Sequence, residues 1–133
     1  MIKINVLTIF PELYYPMFEQ TVLKKAIAKE KIKINLIDIR QYSTNKHKKV
    51  DDYPYGGGEG MLLTVQPIDE AIIQNNLQHS RMLFTSPKGQ VIKQDLLYDL
   101  RNRQEEITIL VGRYEGVDQR VLDKYNFEEI SIG

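Results

Sequence analysis

Short apolar runs of strand type take turns with helix-period stripes along this chain, and that alternation restricts the fold more than any other feature. Residues 2–9 read as a strand, with Ile2, Ile4 and Val6 on one face and Leu7 and Ile9 implying burial on both; Phe10-Pro11-Glu12 breaks it. Met17 to Lys29 is predicted helical, with Val22, Leu23, Ala26 and Ile27 on one stripe. Lys31 to Ile39 alternates and then turns fully apolar, a second strand. Pro67 is expected to open a helix, since proline is tolerated in a first turn, with Ile68, Ala71, Ile72 and Leu77 inward. Met82 to Thr85 reads as a short buried strand ended by Ser86-Pro87-Lys88-Gly89, and Ile92, Leu96, Leu97 and Leu100 form a further helix stripe. Ile107 to Val111 is the most strand-like run, and Gly112 stops it. Asp118 to Tyr125 is predicted as a short helix capped by Asp118, with Val121, Leu122 and Tyr125 inward; Phe127 to Ile132 starts a last strand. The expected fold is α/β, a mainly parallel sheet flanked by helices. In such sheets ligands sit beyond the carboxyl ends of strands. Three glycine-bearing turns stand at such ends: 86–89, 112–116 and Gly133.

At 133 residues the chain suits one domain. It has no cysteine, which removes disulfide frameworks, thiolate metal sites and cysteine nucleophiles. No apolar run approaches the roughly 18 residues of a membrane span, and the alternating N-terminus is unlike a signal peptide, so a soluble cytoplasmic domain is expected. The net charge of zero hides a segregation. Residues 24–49 carry nine Lys or Arg against Glu30 and Asp38, while residues 50–133 carry 8 basic against 14 acidic side chains. A basic block of this kind suits either a phosphate backbone or a solvated helix face followed by a lysine-rich loop. Residues 40–60 are polar and glycine-rich with neither period, and read as one long loop.

The glycine cluster Tyr55-Gly56-Gly57-Gly58-Glu59-Gly60-Met61 is no P-loop, because Met61-Leu62 follows where Lys and Ser or Thr are needed. No third glycine completes a dinucleotide fingerprint, which disfavours nicotinamide and ATP chemistry and leaves a flexible hinge as the plain alternative. His47 and His79 lack helical metal-ligand spacing, and Asp51-Asp52 suit a hard cation no better than open solvent. No nucleophile elbow is present. Gly112-Arg113-Tyr114-Glu115-Gly116-Val117-Asp118 is more informative: a strand ends in a glycine that would let a ligand approach the backbone. It then presents an arginine suited to phosphate, a phenol suited to stacking and a carboxylate suited to a ring N–H or exocyclic amine. A tight strand-to-helix turn with exposed charges is the other reading.

Taken in order, Phe10-Pro11-Glu12, Val50 to Met61, Gln66-Pro67, Ser86-Pro87-Lys88-Gly89, Gly112 to Asp118 and Ser131-Ile132-Gly133 resemble the bacterial tRNA (guanine-37-N1)-methyltransferases. That family lies in the SPOUT, or trefoil-knot, methyltransferase superfamily, and the resemblance runs from residue 2 to residue 133. It implies methyl transfer from S-adenosylmethionine to N1 of the guanosine 3′ of the tRNA anticodon, by a homodimer whose active sites span the dimer interface. It implies a cofactor pocket lined by Thr85, Ser86, Pro87 and Gly89, by Gly112, Tyr114, Glu115 and Gly116, and by Ser131, Ile132 and Gly133. Glu115 becomes the candidate for guanine recognition, with Mg²⁺ as an ion it could hold. Lys46, Lys48, Lys49 and Arg113 become candidates for backbone contacts with the anticodon arm, and neither DNA nor membrane is implied.

Lys88 stands where the family often has glutamine. In the family the Ser-Ile-Gly motif continues into Asp-Tyr-Val-Leu and a glycine pair that complete the pocket and the knot. A linker and a C-terminal domain carrying the general-base aspartate follow. Residues 1–133 are therefore expected to be the N-terminal cofactor-binding part, with an incomplete knot, and inactive alone. A non-catalytic RNA- or nucleotide-binding module of the same fold is the alternative.

Overall fold

The computed structural model describes residues 1–19, 21–47, 49–52, 62–91, 99, 102, 106–112 and 116–131. Five parallel strands form the main sheet: β1 (Ile2–Thr8), β2 (Ile32–Asp38), β5 (Arg81–Val91), β6 (Glu106–Val111) and β8 (Glu128–Ser131). Their order is β2-β1-β6-β5-β8. Three two-residue strands, β3 (Asp51–Asp52), β4 (Leu62–Leu63) and β7 (Gly116–Val117), form a second, small sheet in the order β3-β4-β7. Three α-helices are described along their whole length: α1 (Thr21–Ala28), α2 (Val65–Gln74) and α3 (Gln119–Lys124). This is the α/β architecture that the alternation predicts.

The parallel sheet is apolar on both faces, as strands covered on two sides must be. On one face Leu7, Ile37, Met82, Phe84 and Leu110 pack with Ile68, Ala71 and Ile72 of α2 and with Val121 and Leu122 of α3. Burying each of those large side chains contributes about 1.5–3 kcal/mol. On the other face Leu83, Ile107 and Ile130 form a smaller cluster with Ile109 against it. A polar row crosses the main face. Asn5, 1% exposed, lies opposite Asn35 and Thr108 in the two ladders. It accepts from Asn35 Nδ2 at 3.0 Å and donates to Thr108 Oγ1 at 3.4 Å, while Ser80 and Thr108 share a 2.6 Å hydroxyl pair. The row is tolerated because its members satisfy one another.

α1, α2 and α3 are each followed by a left-handed residue, Glu30, Asn76 and Asn126, with φ of 56°, 55° and 54°. Asparagine accepts that conformation with little strain. The amides that follow return to the last turn, Leu77 to Ile72 O and Phe127 to Leu122 O, and so cap the exposed carbonyls.

Four expectations change in detail. The helix expected from Met17 is a 3₁₀ turn over Tyr15–Glu19 followed by α1; Pro16 suits that first turn, having no N–H to leave unpaired. Helix α2 begins at Val65, so Pro67 is its third residue, still inside the first turn. The stretch 40–60 is not one loop: Ile39–Tyr42 is a 3₁₀ turn and Asp51–Asp52 a strand, anchored by Val50, which is buried. Strand β5 does not end at Thr85. It runs on to Val91, and its ladder to β8 breaks after Thr85, opposite Ile130, and resumes at Gln90, again opposite Ile130, so 86–89 bulge out of the β5–β8 ladder within a continuous strand. The stripe at Ile92, Leu96, Leu97 and Leu100, the side chains of Val22 and Leu23, and residues 53–60 lie outside the described residues.

Candidate functional site

The carboxyl ends of β6, β5 and β8 are neighbours, because those strands are adjacent and parallel. Thr85 stands at the centre, opposite Val111 on one side and Ile130 on the other. Its hydroxyl accepts the Gly112 N–H at 3.2 Å and donates to the Leu110 carbonyl at 3.5 Å, which ties the middle of β5 to the end of β6. Ser86 is half-buried where the β5 ladder breaks, and Ser131 is buried at the end of β8. The backbone of Pro87 and Gly89 belongs to the four-residue interruption. Thr85, Ser86, Pro87, Gly89, Gly112 and Ser131 are thus brought to one end of the sheet.

Gly112 is a glycine for a different reason from the one its sequence context suggests. A Cβ there would meet Phe84 Cε1 at 2.6 Å and the Thr85 carbonyl oxygen at 2.8 Å. The missing methyl therefore faces the core, and its absence lets β5 and β6 close on each other at the rim of the site. Gly116, at φ +143°, has a backbone that other residues rarely adopt. It pairs with Leu62, Val117 pairs with Leu63, and the Asp118 amide donates to Leu63 O at 3.0 Å. Gly112 and Gly116 are accordingly both held, one by Thr85 and one by the small sheet. Arg113, Tyr114 and Glu115 between them lie outside the described residues, as do Ile132, Gly133 and Lys48.

Asp118 caps α3 as predicted, accepting the Arg120 N–H at 3.0 Å and the Arg120 guanidinium at 3.0 and 2.7 Å. The bond from Arg120 holds its carboxyl below the usual aspartate range against a smaller opposing effect of burial. At the ends of β1 and β2 the Phe10-Pro11-Glu12 segment receives Arg40, whose guanidinium lies 5.9 Å over the Phe10 ring and 2.9 Å from Asp38. Its hydrogen bond to Asp38 raises the arginine further above its ordinary value. A hollow of about 510 Å³ runs along β2, lined by Tyr15, Asp38, Tyr42 and Asn75 among others. It sits at the opposite edge of the sheet from β5 and β8, so size alone does not mark the site.

Lys46 and Lys49 are exposed on the segment between the Ile39–Tyr42 turn and β3. They are not at the strand ends. They connect to them through β3, β4 and β7, the last being the far end of the 112–116 turn. Ser43, Thr64 and Gln66 organise this segment, and no sequence pattern pointed to Ser43 or Thr64. Only Gln66, beside Pro67, carried a signal.

A model of the tRNA (guanine-1)-methyltransferase TrmD family matches residues 2–133. The chain belongs to this family. It is 46% identical over 131 residues to the tRNA (guanine-N(1)-)-methyltransferase of Borrelia turicatae (strain 91E135), a match covering 98% of this chain and 54% of that protein. It is 47% identical over 133 residues to the protein of the same name from Mycoplasmopsis pulmonis (strain UAB CTIP), covering 100% and 57%. For Clostridioides difficile (strain 630) the identity is 38% over 135 residues, covering 98% and 58%. The chain spans about half the length of the curated relatives it matches. In this family member no described helix is long and apolar enough to cross a membrane.

Proposed function

We propose that this chain binds S-adenosylmethionine where the β5–β8 ladder breaks, beside the carboxyl ends of β6 and β8, and that it is the N-terminal cofactor-binding part of an enzyme that methylates N1 of guanosine-37 in tRNA. The observation that carries this reading is that Thr85 and Ser86, at the break in the β5–β8 ladder, lie beside Gly112 after β6 and Ser131 at the end of β8. Family membership supports the chemistry. The residues present fit the cofactor. The interruption at 86–89 takes four residues out of the β5–β8 ladder, and backbone amides and carbonyls outside a ladder can read an adenine edge without side chains.

In this reading Thr85, Ser86, Pro87 and Gly89 form one wall, Gly112, Tyr114, Glu115 and Gly116 a second, and Ser131, Ile132 and Gly133 a third. S-adenosylmethionine, when bound, supplies a sulfonium methyl that is already electrophilic. The protein's part is therefore to align guanine N1 with that methyl, to exclude water and to accept the N1 proton. Glu115 is assigned to guanine recognition through the N–H edge. Proton acceptance and most of the grip on tRNA belong to the part of the relatives that this chain does not cover. Lys46, Lys48, Lys49 and Arg113 contribute phosphate contacts to the anticodon arm. The working enzyme is a cytoplasmic homodimer of the trefoil-knot type. Among the described residues no three His, Asp or Glu side chains gather as a metal site, and no step is assigned to Mg²⁺.

Calorimetric titration of S-adenosylmethionine into the 133-residue chain, with ATP as control, tests the cofactor assignment. Selective binding supports it; a folded chain that binds neither, or both equally, overturns it for these residues. In an enzyme carrying this chain, Glu115→Gln should reduce labelled-methyl transfer more than cofactor affinity. Equal losses would refute the guanine role.

A further inference from the structure

We propose that Gln66 is a positioning residue for RNA binding, its carboxamide holding the basic loop 43–49 in the shape that offers Lys46 and Lys49 to a phosphate backbone. The inference rests on the reading of this chain as part of a tRNA-modifying enzyme. Gln66 is the second residue of α2, and its side chain leaves the helix for the loop. Its Oε1 accepts the Thr44 N–H at 3.1 Å, and its Nε2 donates to the Tyr42 carbonyl at 2.8 Å. One carboxamide thus joins main-chain groups on either side of Ser43.

The rest of the loop is tied in the same way. Ser43, 8% exposed, donates its hydroxyl to the Lys49 carbonyl at 2.5 Å and accepts the Asn45 N–H at 3.1 Å. Asn45 Oδ1 accepts the His47 N–H at 2.8 Å. Further along α2, Asn75 Nδ2 donates to the Tyr42 hydroxyl at 3.0 Å. The segment from Ile39 to Val50 contains no acidic residue, and Thr44 to His47 and Lys49 are all exposed. Apolar burial therefore does not order the loop tip; side-chain bonds to the main chain do. Ordering a loop in advance removes that entropic cost from binding. The loop runs directly into Val50, whose carbonyl accepts both the Thr64 N–H and the Thr64 hydroxyl, and then into β3. Through β4 and β7 it is fixed relative to the 112–116 turn.

The test measures affinity for an anticodon stem-loop RNA across a salt series. The proteins are the unmodified chain, Gln66→Met, the pair Lys46→Ala and Lys49→Ala, and the triple variant. Methionine keeps the volume of glutamine and removes both hydrogen bonds. Gln66→Met should weaken RNA binding about five- to tenfold while leaving S-adenosylmethionine affinity and the melting temperature close to those of the unmodified chain. The lysine pair should weaken binding and flatten the salt slope by about 1.5. In that lysine-free background Gln66→Met should have no further effect, a coupling that general destabilisation would not produce. RNA affinity unchanged by Gln66→Met, or equal losses in both backgrounds, would overturn the positioning role alone. A lysine pair that binds like the unmodified chain, or an unmodified chain with no salt-dependent RNA binding, would overturn the loop's role in gripping tRNA and the positioning role with it.

Discussion

Replacing Gly112 by alanine probes the contact on which the rim of the site depends. The new Cβ would lie 2.6 Å from Phe84 Cε1, 2.8 Å from the Thr85 carbonyl oxygen and 3.1 Å from Phe84 Cζ, the first two inside the 3.0 Å that real Cβ atoms keep. The ring cannot swing away cheaply, because Phe84 is 5% exposed and belongs to the main core. The carbonyl cannot move without opening β5 from β6 where Thr85 faces Val111. Overpacking of this kind costs about 1–3 kcal/mol, a sizeable share of a total stability of about 5–15 kcal/mol. Urea unfolding followed by far-UV circular dichroism suits a chain without tryptophan. The midpoint should fall with the slope unchanged. Gly112→Ala combined with Phe84→Leu should lose less than the two single changes together, because the smaller side chain makes room for the methyl. An alanine variant as stable as the unmodified chain, or stabilised by the about 0.4–1 kcal/mol that alanine gains through the unfolded state, would refute the packing account of this glycine. Affinity for S-adenosylmethionine should fall along with the midpoint, since the same shift displaces the Gly112 N–H from Thr85.

Gly116→Ala should cost about 1–3 kcal/mol through backbone strain alone, because the nearest contact of its Cβ is Leu62 Cδ2 at 3.7 Å; a neutral result in the same urea experiment would count against the +143° backbone. Asp118→Ala removes the cap of α3 and should cost about 1 kcal/mol at neutral pH. Since the folded carboxyl titrates below its unfolded value, that contribution is full above the ordinary aspartate range and disappears as pH falls through the folded value. Urea midpoints of the two proteins should therefore converge on acidification. Tyr125→Phe removes the phenol's bond to Asp69 and should cost about 1 kcal/mol. Burial, then Asp69, raise the Tyr125 phenol above its ordinary value, so its stabilising effect is complete below that value and is lost as pH rises through the folded one. The difference between the two proteins should accordingly vanish in strong alkali. Thr108→Val leaves Asn5 Nδ2 and the Ser80 hydroxyl without a partner they have now, and should cost about 1–3 kcal/mol in thermal unfolding; a neutral result would show that the polar row is dispensable.

The strand ends are also where the architecture explains the motifs best. Phe10-Pro11-Glu12 follows β1 and receives Arg40 from the end of β2. Gly112 follows β6, and Ser86 lies where β5 parts from β8. Residues far apart in the chain meet there because parallel strands all point the same way. Each turn that follows a strand must lie on the same rim.

The amino-acid order by itself located β1, β2, the first half of β5, β6 and β8 and the helices α1, α2 and α3, because period and caps are local, but not the two-residue strands or the 3₁₀ turns. Ile107 to Val111 is mostly β-branched with apolar residues on both sides, Asp118 precedes a helix stripe, and Gly112 marks where a strand must stop. The same local signals placed Gly112 at a strand end before any strand order was known, whereas 86–89, read as a turn that ends a strand, falls inside β5. Tertiary structure alone decided the rest, for a physical reason in each case. Asn5 shares a face with Leu7 and Ile9, and a polar side chain is tolerated in that buried row because Asn35 and Thr108 arrive from neighbouring strands to satisfy it. The break in β5 depends on Ile130 being its ladder partner, a contact 45 residues away from Thr85 in the chain. The loop at 43–49 is ordered by Gln66, a residue beyond the glycine cluster, through bonds that no periodicity records. Gly112 needs its missing Cβ only because Phe84 comes to lie against it once β5 and β6 are paired. Such contacts join distant positions in the chain. Local sequence carries no trace of them until the sheet has set the strands side by side.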